Sequence, residues 1–85
     1  MEFKDLKFTP HSLDLQGRHA IVNFDNGFGA SIIQTNFSMG GMIGLFEVAV
    51  LKDGKVDSTT PVTDDVIGYL TQEDVMLVLD QIQKL

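Results

Sequence analysis

The tetrapeptide Asp25-Asn26-Gly27-Phe28 constrains this chain more than any other stretch. Asn-Gly accepts positive φ at both positions, which a two-residue type I′ hairpin turn requires. Residues 19–25 and 28–34 on either side are rich in apolar and β-branched side chains, as strands are. The turn predicts pairs of Phe24 with Gly29, Val22 with Ser31 and Ala20 with Ile33 on one face. Ile21 with Ile32, and Asn23 with Ala30, then share the other. Both faces would carry apolar residues, so the hairpin is expected to be central and covered on both sides.

A second hairpin is expected around Lys52-Asp53-Gly54-Lys55, which follows the near-continuous apolar run 45–51. A three-residue loop with Gly54 as a left-handed bulge pairs Val50 with Val56 and gathers Phe46, Val48, Val50 and Val56 on one face. A two-residue Asp-Gly turn would instead set Val50 against Asp57. Upstream, residues 6–9 read as a short edge strand ended by Pro10, and residues 12–18 as a loop or one helical turn. Residues 63–70 read as a short capped helical turn ending near Gly68.

The C-terminal segment has helical spacing. Thr71-Gln72-Glu73-Asp74 has the form of a capping box, with acids in the first turn where the helix dipole favours them. At about 100° per residue, Val75, Val78, Leu79, Ile82 and Leu85 fall on one stripe, Met76 flanks it and Leu77 lies opposite. The expected fold is α+β: one domain over residues 1–85, with an antiparallel sheet of four or five strands built from two hairpins. A helix over about residues 72–84 packs on one face. Its core would join Val22, Phe24, Ile33, Phe46, Val48 and Val50 to Val75, Val78, Leu79 and Ile82.

Composition narrows the function classes. The 85 residues are 44% hydrophobic, enough for a core, and include no cysteine, so packing alone must stabilise the fold. The net charge of −6 is uneven, with four acids against three bases in residues 1–44 and eight against three in residues 45–85. Six dispersed Lys and Arg do not make the basic patch that a nucleic-acid backbone requires, so direct nucleic-acid binding is not expected. Neither a membrane-length apolar run nor a basic-then-apolar leader is visible, so no membrane association is expected.

Several clusters are candidates for chemistry. His11 and His19 could work with carboxylates and serines, but no nucleophile elbow, paired-histidine spacing or phosphate-binding glycine run accompanies them. Asp64, Asp65, Glu73 and Asp74 could hold a hard cation, although capping and dipole placement explain each of them better. No cofactor is expected. Gly40-Gly41 could present backbone N–H groups to an anion. Residues 35–44 are glycine-hinged yet carry Phe37, Met39, Met42 and Ile43, which either plug the end of the sheet or contact a partner. Together with Leu77, these four are the candidate partner-binding residues.

Three stretches together resemble a group of small proteins encoded by tailed bacteriophages and prophages. They are Asn23-Phe24-Asp25-Asn26-Gly27-Phe28-Gly29-Ala30-Ser31-Ile32-Ile33, then Gly44-Leu45-Phe46-Glu47-Val48-Ala49-Val50-Leu51, then Thr60-Pro61-Val62-Thr63-Asp64-Asp65-Val66-Ile67-Gly68-Tyr69-Leu70. The resemblance implies a setting, the cytoplasm of a bacterial host, and no catalytic or binding residue. The expectation is a non-enzymatic accessory protein that binds a host or phage protein, in some cases as an inhibitor. The alternatives are an oligomeric protein that sequesters an anionic small molecule, and a minor virion or assembly component. Apolar residues on both hairpin faces also predict a homodimer, unless Phe3, Leu6 and Phe8 of the N-terminal arm cover the second face and leave a monomer.

Overall fold

The computed structural model describes residues 1–63 and 65–85. It is an antiparallel meander closed by one helix. The strands are β1 (Thr9–His11), β2 (Asp14–Asn23), β3 (Phe28–Gln34), β4 (Phe46–Lys52), β5 (Lys55–Val56) and β6 (Val66–Leu70), followed by α1 (Gln72–Gln83). Strands β1 to β5 lie in sequence order, and β6 also pairs with β4. The two last strands divide the outer edge of β4: β5 meets Leu51 and Lys52, and β6 runs beside Phe46 to Ala49.

Both expected hairpins form, with their turn types exchanged. In the first, Val22 pairs with Ala30 and Ala20 with Ile32. The loop therefore holds three residues, with the Gly27 N–H bonded to the Phe24 carbonyl and the Phe24 N–H to the Phe28 carbonyl. Gly27 has φ +86° and Asn26 is not left-handed, so this is a type I turn followed by a glycine bulge rather than type I′. In the second hairpin Leu51 pairs with Val56, leaving Asp53 and Gly54 as a two-residue loop. Both are left-handed, at φ +51° and +83°, which is the type I′ pattern. Val50 accordingly faces Asp57, whose N–H it accepts at 2.9 Å.

A one-residue change of register moves every side chain of a strand to the other face. Ala30 and Ile32, not Ser31 and Ile33, therefore enter the core, where they join Ala20, Phe46, Val48, Val50 and Leu70. Ile33 is half-buried on the far face instead. Val56, expected inside, is 65% exposed.

Two further expectations are corrected. Residues 66–70 are a strand rather than a helical turn, because the edge of β4 offers unpaired backbone groups that a strand satisfies. The segment read as a loop at 12–18 is mostly β2, and β1 is Thr9–His11 rather than residues 6–9.

The helix matches its sequence pattern. Thr71 Oγ1 accepts from the Asp74 N–H at 3.1 Å, and Asp74 Oδ2 accepts from the Thr71 N–H at 3.1 Å, a reciprocal cap. Val75, Val78, Leu79 and Ile82 are buried against the sheet, and Leu77 faces solvent. The N-terminal arm lies on this same side. Phe3 stacks edge-on to Phe46 with centroids 5.2 Å apart, Phe8 approaches both, and the Arg18 guanidinium sits 4.9 Å from the Phe8 centroid. The arm thus extends the core beside α1 and does not cover the opposite face. Among the described residues, no helix is long and apolar enough to cross a membrane.

Candidate functional site

The connection from β3 to β4 is built on a small polar knot. Thr35 and Ser38 are both buried. The Thr35 N–H donates to Ser38 Oγ at 2.9 Å, the Ser38 N–H to Thr35 Oγ1 at 2.9 Å, and Ser38 Oγ to the Thr35 carbonyl at 3.1 Å. Hydroxyls satisfy the local backbone here, so the chain turns without a strand partner.

The remaining backbone is tied to the body of the protein. The Asn36 N–H donates to Asp14 Oδ2 at 2.9 Å and the Met39 N–H to Glu47 Oε1 at 3.1 Å. The Tyr69 N–H donates to the Met39 carbonyl at 3.1 Å. Gly68 lies directly under Met39, where an added Cβ would collide with the Met39 Cβ. The loop is therefore anchored to β2, β4 and β6 at once.

On this anchored backbone the apolar side chains point outward. Phe37 is 58% exposed, Met42 80% and Ile43 71%, with Met39 exposed to a lesser degree. Phe37, Met42 and Ile43 therefore do not plug the end of the sheet, the first of the two readings the sequence leaves open. Met42, Ile43 and Tyr69 surround a shallow cavity of about 230 Å³ that Asn36, Ser38 and Gly40 complete. Tyr69 sits at φ +56°, a conformation that costs a non-glycine residue roughly 1–2 kcal/mol. Such strain persists only where surrounding structure enforces it, and it gathers at functional sites.

Leu77, the fifth candidate, is 64% exposed on the outer side of α1 and is not part of this loop. Tyr69 was missed because residues 63–70 read as helix. No local signal in Gly68-Tyr69 announces a bulge whose geometry depends on β4.

A second cluster adjoins the loop. The His11 ring packs edge-on to Phe37 at 5.2 Å between centroids and lies 5.7 Å from the His19 ring. His19 Nε2 and Ser31 Oγ are hydrogen-bonded at 3.1 Å. Burial, and then the charge of His11, hold His19 below the ordinary histidine pKa, which favours neutral imidazole. The two histidines named from the sequence are thus brought together with one serine, Ser31, through the β1–β2–β3 pairing that the sequence does not show for residues 12–18.

The other sequence candidates do not converge. Asp74 is committed to the helix cap and Glu73 to its first turn, while Asp64 lies outside the described residues. Among the described residues, no group of three His, Cys, Asp or Glu is placed to hold a metal ion. At Gly40-Gly41, the Gly41 N–H is bonded to the Ser38 carbonyl, and no cationic side chain lines the cavity. An anion finds little there. No protein-family model, curated protein or solved structure matches this chain.

Proposed function

We propose that this protein acts without catalysis, by binding another protein through the 35–44 loop and Tyr69. One observation carries the reading: Phe37, Met42 and Ile43 are exposed on a backbone that hydrogen bonds fasten to three strands. Exposed apolar side chains on a rigid frame lose little entropy on binding, and methionine adapts to an apolar partner. The likeness of three stretches to small phage-encoded proteins supports a partner of host or phage origin in a bacterial cytoplasm. The test compares the wild type with a Met42→Ser/Ile43→Ser variant in partner capture and in thermal melting. Loss of capture with an unchanged melting temperature supports the proposal. Equal capture by both proteins overturns it.

A specific observation favours self-association as a second reading. The sheet face away from α1 carries Ile21 and Val56, both exposed, and the partly buried Ile33, Ala49 and Val66, while Leu51 on the same face is buried. Among the described residues of these strands, Glu47 is the one carboxylate on that face, and by register Arg18, Lys52 and Lys55 lie on the helix side. A face almost free of charge suits a symmetric contact between two acidic copies. Light scattering distinguishes the states, 9.4 kDa for a monomer and twice that for a dimer.

A further inference from the structure

The side chain of Asn26 connects the tip of the first hairpin to the end of the helix. Its Nδ2 donates to the carbonyls of Ile82, Gln83 and Leu85 at 3.0, 3.1 and 3.3 Å, and its Oδ1 accepts from the Phe28 N–H at 3.0 Å. The last carbonyls of a helix have no partner within it, so this one amide caps α1 from a residue far away in sequence. The last turn of α1 has no basic residue to perform that role.

The residue after Asn26 is glycine, and an amide followed by glycine has an intramolecular reaction open to it. The backbone nitrogen of Gly27 can attack Cγ of Asn26. The bond from Cγ to Nδ2 then breaks, and Nδ2 leaves as ammonia carrying the proton lost by the attacking nitrogen. Water opens the resulting cyclic imide at either carbonyl, giving aspartate or its β-linked isomer. Glycine favours the step because no side chain obstructs the ring.

In the folded protein both participants are held. The Gly27 N–H donates to the Phe24 carbonyl at 3.3 Å, and Nδ2 donates to the carbonyls of Ile82 and Gln83 in α1 and of Leu85 just past its end. Reaction therefore requires the hairpin tip to leave α1. The product cannot return. A carboxylate has no hydrogens to donate, and it would face three carbonyl oxygens at the negative end of the helix dipole. Asp25 is its neighbour in the turn, which adds to the repulsion.

We propose that Asn26 is a self-modification site gated by the docking of α1. Its conversion to aspartate or isoaspartate is a one-way release of the helix end that shields Ile82. The switch is independent of the partner-binding proposal, since it concerns the opposite end of α1 from Thr71 and not the 35–44 loop.

The test follows the mass gain of amide-to-carboxylate exchange at Asn26 by peptide mapping, in the full chain under native conditions and in denaturing urea. Native modification should be at least about tenfold slower, the factor that an opening free energy of about 1.4 kcal/mol produces. Asn26→Asp, the product itself, should melt about 4–8 °C below the wild type, a shift typical for losing about 1 kcal/mol in a domain this size. Asn26→Ala, which removes the cap without adding charge, should melt above Asn26→Asp. If Asn26→Asp fails to fold while Asn26→Ala folds, that order holds and the proposal stands. Equal modification rates in buffer and urea, or a melting temperature for Asn26→Asp at or above that of Asn26→Ala, would overturn it.

Discussion

The backbone N–H of Tyr69 donates to the carbonyl of Met39 at 3.1 Å, and this bond joins the strained bulge of β6 to the exposed β3–β4 loop. Glycine would occupy the left-handed conformation of Tyr69 without strain, whereas a β-branched residue would not. Tyr69→Gly should therefore change stability by less than about 1 kcal/mol, since relieved strain offsets lost backbone order. Tyr69→Val should cost about 1–3 kcal/mol. Urea unfolding of the two variants checks this, and equal losses would mean that the left-handed conformation is not what matters at Tyr69.

The helix provides a matched pair of substitutions. Leu79 is 1% exposed against the sheet and Leu77 is 64% exposed on the outer side. Leu79→Ala should cost about 2–5 kcal/mol from lost burial and the cavity left behind. Leu77→Ala should stay within about 0.5 kcal/mol. Similar melting temperatures for both variants would contradict the assigned orientation of α1.

At the second hairpin, Gly54 has φ +83° in open space, so strain alone opposes a side chain there. Gly54→Val should destabilise by about 1–3 kcal/mol, while Asp53→Asn should be neutral or stabilising because Asn-Gly is the preferred type I′ pair. A destabilised Asp53→Asn variant would argue against the type I′ assignment.

Stability should fall on acidification in two steps. His19 is held below the usual 6.5 by burial first and by His11 second, so the unfolded chain binds more protons than the folded one between the two values. Stability is therefore lost as pH falls from 6.5 through the depressed folded pKa. Asp14 is held below 3.8, chiefly by the Asn36 N–H, so its contribution is present above 3.8 and lost as pH falls through its lower folded pKa. His19→Gln should remove the upper step and leave the lower one. An unchanged slope near pH 6 in that variant would assign the step elsewhere.

The candidate site was partly legible. The loop was conspicuous as glycine-hinged and apolar, and Phe37, Met39, Met42 and Ile43 are the side chains it presents. The outward direction of those side chains was not legible, because it depends on bonds from Asp14, Glu47 and Tyr69, residues distant in sequence. Leu77 is exposed on the outer side of α1, as its position opposite the apolar stripe requires, but it belongs to the helix and not to the loop.

By itself the sequence determined what depends on neighbours a few residues apart. The Thr71 cap, the stripe from Val75 to Ile82 and the existence of two glycine-turned hairpins all follow from spacing that the backbone repeats. Tertiary structure decided the registers. In 28–34, Ile32 and Ile33 offer an isoleucine to either face, so alternation does not choose between them. The choice falls to contacts the sequence does not display locally. With a three-residue loop, Ala30 and Ile32 meet α1, and Asn26 reaches Ile82 with its side chain instead of serving the turn with its backbone. Likewise 66–70 became a strand because β4 had an edge to pair. Hydrogen-bond demand from a distant element outweighed a weak local preference.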